Sequence, residues 1–156
     1  MKQITEQEAY LRLASLCAQA EHCQYEIKEK MRRWELGEEA QTRIMERLVK
    51  ERYIDEMRYA RAFVKDKVVY NKWGRRKVEQ ALWQKQIDDD IRQRVLEEVD
   101  DETYVSVLRP LLKQKRKSTK AGSEYEMNQK LMRFALGRGF TFDIIRQCID
   151  LEEQDD

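Results

Sequence analysis

Apolar residues return every third or fourth position along most of the chain, the spacing that lays one buried stripe along an amphipathic helix. The stretch from Tyr53 to Ile87 shows the pattern most fully. Ala60, Phe63, Val64 and Val68 form one stripe, and Asp55 precedes it, where its carboxylate can accept a free backbone N–H of the first turn. Asn71 to Gly74 interrupts the pattern, because glycine suits turns better than helix interiors. A second helix carries Val78, Ala81, Leu82 and Lys85 and ends near Ile87. Asp88, Asp89 or Asp90 opens a third, with Ile91, Val95, Leu96 and Val99 facing inward.

The same succession recurs on both sides. Before it, Thr5 with Gln7 or Glu8 starts a helix bearing Ala9, Leu13, Leu16 and Cys17. A break at His22 and Cys23 leads to Ile27, Met31 and Trp34; Gly37 ends that helix, and Ala40, Ile44, Met45 and Leu48 face a third. A shift of 51 residues lays Ile27 on Val78, Met31 on Leu82 and Ile44 on Val95. A further shift of 49 lays Val78 on Met127, Leu82 on Leu131 and Val95 on Ile144. In the last unit Tyr104, Val105, Leu108, Leu111 and Leu112 carry a helix that Pro110 should kink. The turn-like run 113–123 follows, then a helix from Tyr125 to Leu136 ended by Gly137 and Gly139, and a last one capped by Thr141. The expected fold is all-α. A single domain, 1–156, is built of three tandem three-helix repeats, 4–53, 54–102 and 103–154, in an elongated solenoid-like array, straight or curved.

Composition supports helices, with one Pro and five Gly in 156 residues and 39% charged side chains. The 31 basic residues nearly cancel the 30 acidic ones, so any electrostatic function must come from local clusters. With no long apolar run and no signal peptide at its start, the chain is expected to be a cytoplasmic monomer without contact to a membrane. The acidic tail from Leu151 to Asp156 lies at a helix C-terminus, where the dipole disfavours it, and is expected to fray. Cys17, Cys23 and Cys148 form no disulfide framework, and with His22 they supply too few ligands for a closed zinc site. They read as small buried hydrophobes.

No nucleophile arrangement surrounds His22, and Gly74 stands alone, without the glycine spacing of a phosphate loop. The expectation is a protein that is not an enzyme and needs no cofactor or metal. Most carboxylates alternate with Lys and Arg at helical spacing, as in a solvated, salt-bridged face. Two acid-free basic clusters stand apart. Lys72, Arg75, Arg76 and Lys77 surround Trp73 at a helix start, where the dipole does not favour cations. Lys113, Lys115, Arg116, Lys117 and Lys120 lie in the run read as a mobile loop. Phosphates or an acidic protein face would both suit the first cluster, with Trp73, read as exposed, stacking or packing there. The plain alternative for either cluster is a solvated basic segment.

Leu48, Tyr53, Ile54, Asp55, Glu56, Arg58, Tyr59 and Ala60 follow the order of a family signature: leucine, aromatic, hydrophobe, acidic pair, then Arg-aromatic-Ala. Gly74, Val78 and Leu82 are similar to its Gly-x-x-x-Ile-x-x-x-Leu element, and Glu26, Ile27, Lys30 and Met31 to its Glu-Leu-x-x-Lys-Leu. In these positions, and in its threefold repeat, the chain resembles the RecX regulators of the bacterial RecA recombinase. It departs from them at Arg52, Arg75 and Gln86, where the family favours Gly, Pro and Gly. The resemblance implies a protein that binds the RecA filament on single-stranded DNA. It would lie in the filament groove and restrain ATP hydrolysis, strand exchange and coprotease activity, in DNA repair, recombination and the SOS response. A nucleic-acid-binding helical adaptor acting without RecA is the main alternative, and a scaffold for an unrelated acidic protein the third.

Overall fold

The computed structural model describes residues 3–154, with side chains described as far as Ile149. Among these residues the chain forms nine α-helices and no strand. They are α1 (Glu6–Gln19), α2 (Gln24–Arg33), α3 (Glu38–Lys50), α4 (Glu56–Val69), α5 (Arg75–Gln84), α6 (Asp89–Glu97), α7 (Asp101–Ser118), α8 (Glu124–Gly137) and α9 (Phe142–Gln154). The first helix of each successive three opens on a side-chain cap. Thr5, Asp55 and Asp100 accept the backbone N–H groups of Glu8, Arg58 and Thr103 at 3.1, 3.0 and 2.9 Å. The second helix of each three closes on a residue of positive φ, namely Glu35 (57°), Gln86 (59°) and Gly139 (95°).

Several sequence expectations change. Gly37 does not end α2; that helix stops at Trp34 and Glu35, and Gly37 occupies the N-cap of α3. Asp88 takes the N-cap of α6 without a side-chain bond. Residues 113–118 are helix, not loop, because α7 runs through Pro110 to Ser118. Lys, Gln and Arg are good helix formers, and cations in a last turn suit the dipole. Pro110 is exposed, so the carbonyl its missing N–H leaves free can turn to water. Helix α9 extends into the acidic tail as far as Gln154; the rest of the expected fraying lies outside the described residues.

The register between the second and third units also shifts. The closing turns align Gln86 with Gly139 and the buried Ile87 with Phe140, an offset of 53 rather than 49. Ile27, Val78 and Leu131 are then equivalent fully buried positions, as are Met31, Leu82 and Ala135. Helix α8 has 14 residues against 10 in α5, one extra turn at its start. A four-residue slip keeps the apolar stripe in phase, so residue class alone cannot distinguish the two registers.

Within each three, the helices pack on one another, and α4 also packs on α7. Two cores result. One lies within α1–α3, around Leu13, Ile27, Met31 and Leu48. The other is shared by α4–α6 and α7–α9 through Leu82, Leu96, Leu108, Leu112 and Phe140, and Cys23 and Tyr25 of the first unit pack on its edge. The chain exposes 10427 Å² for its 18.9 kDa. A compact protein of that mass would expose about 8,300 Å², so the array is extended.

Candidate functional site

The first basic cluster of the sequence lies where the second and third units join, and Lys115 of the second cluster approaches it. Helix α4 ends at Tyr70, and the chain reverses through Asn71 and Lys72, the latter at φ 59°. The Asn71 N–H bonds the Asp66 carbonyl at 3.3 Å and the Trp73 N–H that of Lys67 at 3.0 Å, which closes the helix. The turn brings Trp73 back onto the core. It is half-buried rather than exposed, and its ring lies 5.3 Å from the Lys67 ammonium and 4.6 Å from that of Lys77.

The next residues dock on the third unit. The Gly74 N–H donates to the Arg138 carbonyl at 2.8 Å, and the Arg76 N–H to the Gly139 carbonyl at 3.0 Å. A helix N-terminus normally offers such donors to an anion; here two carbonyls of the α8–α9 turn take them. Only glycine fits, since a Cβ on residue 74 would stand 2.2 Å from the Phe140 nitrogen. Arg138 returns the contact, donating through Nη1 to the carbonyls of Asn71 (3.0 Å) and Lys72 (3.4 Å).

The Arg138 guanidinium also lies 5.3 Å from the centre of the Phe134 ring, which the Lys115 ammonium approaches to 5.1 Å. A strip of cations and rings therefore runs from Lys67, Trp73 and Lys77, past Lys72 and Arg138, to Phe134 and Lys115. Sequence reading found most of it but missed Lys67, Phe134 and Arg138. Arg138 is a single basic residue between two glycines, so no charge run marks it.

The remaining members of the clusters separate. Arg76 is exposed beside the strip, and Lys72 is exposed within it. Arg75 turns into the joint, where its Nη2 donates to Gln93 Oε1 at 3.2 Å. It lines a small cavity with Tyr104, Phe140 and Thr141. The Tyr104 hydroxyl there is buried without a protein partner, and burial raises its pKa. Arg116 bonds Glu124 at 3.1 Å and so helps hold α7 to α8. Lys113 and Lys117 project from the end of α7, and Lys120 lies in the following turn, all three exposed.

Charge pairing is mixed over the surface: among the described residues Arg12, Lys28, Arg33, Lys50, Arg94 and Arg133 lack a carboxylate within 4.0 Å, so the strip stands out by the cations and rings gathered at one joint and not by missing pairs. Arg32, Arg43, Arg47, Arg61, Arg92 and Arg146 each reach a carboxylate within 4.0 Å. Among the described residues Lys72, Arg76, Lys77, Lys115 and Arg138 have no such pair, while Lys67 has a long contact of 3.7 Å to its neighbour Asp66. The joint between the first and second units is of the opposite kind. Glu26 holds Lys85 at 3.2 Å, Glu21 pairs with Arg58, and Glu56 accepts the Gln24 N–H at 3.2 Å. An open groove of about 760 Å³ beside that joint is lined by Tyr25, Trp83, Lys85, Asp88 and Arg92. Cys17, Cys23 and Cys148 are buried free thiols, and among the described residues no group of His, Cys, Asp and Glu is placed to hold a metal ion.

Two family models match the chain. The one described as RecX, second three-helix domain, covers residues 55–96, and the one described as RecX, third three-helix domain, covers residues 102–149. Among curated proteins, the chain is similar to the regulatory protein RecX of Bacillus cytotoxicus, 28% identical over 152 residues, 96% of this chain and 56% of that protein. It is also similar to the regulatory protein RecX of Bacillus mycoides, 27% identical over the same shares. The chain thus spans 56% of the length of these relatives. A crystal structure of RecX from Lactobacillus salivarius superposes with a TM-score of 0.86 at 22% identity, covering 96% of this chain and 97% of the other. A second crystal structure, of regulatory protein RecX, gives 0.86 at 20% identity over 93% and 73% of the two chains.

Proposed function

The chain belongs to the RecX family, and from that premise we propose that it binds the filament of RecA recombinase on single-stranded DNA and restrains its ATP hydrolysis and strand exchange. The observation that carries the reading is the strip of cations and rings across the joint of the second and third units. Such a strip in a chain of net charge +1 is a local attraction for an anionic partner, without a general affinity for polyanions. Two backbone hydrogen bonds and Arg138 hold its two halves in register, so little ordering is needed when a partner arrives. Regulation by occupying a surface needs no catalytic group, and the extended array offers a long surface for the purpose.

The test is the ATPase rate of RecA filaments on single-stranded DNA, titrated with the full chain and with a Lys72→Glu/Arg76→Glu variant. Both side chains are exposed, so the fold should survive. The wild-type chain should slow hydrolysis, and the variant should need at least about tenfold more protein for the same effect. A wild-type chain that leaves the rate unchanged at saturation refutes the proposal. An equally potent variant removes the strip from it.

A further inference from the structure

The two joints of the array correspond helix start for helix start, and one of them lacks an anion that the other has. At the joint of the first and second units, Gln24 opens α2 and Glu56 opens α4. The Glu56 carboxylate crosses the joint and accepts the Gln24 N–H at 3.2 Å, so a negative group sits where helix N-termini meet. Tyr59, the buried fourth residue of α4, has the Cys23 thiol in hydrogen-bond contact with its hydroxyl. At the next joint the same places belong to Arg75, Asp101, Tyr104 and Gly74. Asp101 is a methylene shorter than Glu56, and the Arg75 N–H has no acceptor among the described residues. Gly74 carries no thiol, and the hydroxyl of Tyr104, a residue 3% exposed, is left without a partner. A cavity of about 30 Å³ lies there, lined by Arg75, Asp101, Tyr104, Phe140, Thr141 and Ile144.

We infer that this cavity binds one small inorganic anion of chloride size, held by Arg75 and the Tyr104 hydroxyl in the place that the Glu56 carboxylate fills at the first joint. Size selects the ion, because the space holds roughly one or two waters and so admits a monatomic anion but not a tetrahedral oxyanion. Three helices, α5, α7 and α9, start at the cavity wall, at Arg75, at Asp101 and just after Thr141, and bring the positive ends of their dipoles to it. Arg75 has the neutral Gln93 oxygen at 3.2 Å and, among the described residues, no carboxylate within 4.0 Å. Burial is the main cause that raises the pKa of Tyr104; of the two charges acting on it, that of Arg75 outweighs that of Asp101, so the local field is positive on balance. A water would satisfy the hydroxyl but would leave the guanidinium charge unanswered.

The experiment is urea denaturation of the full chain at fixed ionic strength while sodium gluconate is exchanged for sodium chloride. The unfolding equilibrium constant should fall saturably, by about tenfold once chloride reaches about ten times its dissociation constant. Bromide should replace chloride. Sulfate, which stabilises folded chains generally by exclusion from their surface, should give no saturable step. Tyr104→Phe and Arg75→Gln should each abolish the chloride response. Asp101→Glu restores the reach that Glu56 has at the first joint, so this variant should be more stable than wild type in gluconate and indifferent to chloride. Chloride NMR line width gives the same comparison without unfolding, with excess broadening by the wild-type chain that Tyr104→Phe removes. A chloride response that survives any of the three substitutions overturns the inference. So does a wild-type chain with neither a saturable response nor excess broadening, in which case water fills the cavity. No recombinase enters these measurements, so the filament reading stands or falls separately.

Discussion

Replacing Gly74 by alanine isolates the contact that joins the second and third units. Gly74 sits at an N-cap with φ −83° and ψ 171°, a conformation open to alanine. Without the third unit, the substitution would stiffen the unfolded chain and stabilise the protein by about 0.4–1 kcal/mol, less a small loss of N-cap preference. The structure reverses the sign. The new Cβ would stand 2.2 Å from the Phe140 nitrogen and 2.4 Å from the Gly139 carbonyl carbon, and backbone atoms cannot swing aside as a side-chain end can. The joint must open, which stretches the 2.8 Å bond from Gly74 to Arg138 and the 3.0 Å bond from Arg76 to Gly139. Two hydrogen bonds at about 1 kcal/mol each, with overpacking at about 1–3 kcal/mol, outweigh the entropic gain and leave a net loss of roughly 3 kcal/mol. Gly37 supplies the control, since it too is an N-cap in extended conformation, at φ −64°, with nothing within 4 Å of its virtual Cβ. Urea denaturation of the two variants subtracts the shared cap effect and leaves the clash. If Gly74→Ala costs no more than Gly37→Ala, the close approach of the two units is wrong.

Asp55→Ala removes the carboxylate that accepts the Arg58 N–H and should destabilise by about 1 kcal/mol in the same assay, whereas Asp55→Asn, which keeps an accepting oxygen, should avoid most of that loss. Glu56 should make stability depend on pH. Burial raises its pKa, helped by the nearby Asp88 and Glu26 carboxylates, so its contribution is present at low pH and lost as pH rises through its titration. Glu56→Gln keeps an oxygen for the Gln24 N–H and cannot ionise, so the variant should gain on wild type as pH rises above about 4, where an ordinary glutamate ionises; a difference that does not change with pH refutes the assignment.

Helix identity was legible because periodicity and caps agree. Asp55 and Thr5 sit where a first turn needs an acceptor, and the stripe that follows each is in phase with it. The offset between the last two units was not legible, because the extra turn of α8 moves every apolar residue onto another of its kind. Lys113 to Lys117 looked like a loop on charge alone, though the intrinsic preference of Lys, Gln and Arg is helical and α7 simply continues through them. Trp73 looked exposed because basic residues flank it in sequence, yet cations lie over half-buried rings by preference. The strip itself was half visible. A run of charges marks a cluster along the chain, but Arg138 reaches its place across a fold that brings residues 67 apart into contact.

The glycine at 74 has a counterpart in Cys23, the N-cap of α2, and Arg138 has one in Lys85, the C-cap of α5. Where Gly74 lets two backbones bond directly, the Cys23 side chain intervenes, and its sulfur stands 4.0 Å from the Lys85 carbonyl. One architectural contact has thus been made at two spacings, the wider filled by a thiol and exposed or half-exposed ion pairs. Ion pairs of that kind yield to salt and to thermal motion, and among the described residues the first unit adds just Cys23 and the half-buried Tyr25 to the apolar core that the other two units share. The array should therefore behave mechanically as a stiff arm of two units carrying a compliant third, with bending concentrated at the chain segment 51–55. Amide hydrogens of α1–α3 should exchange through openings that leave the protection of α4–α9 untouched.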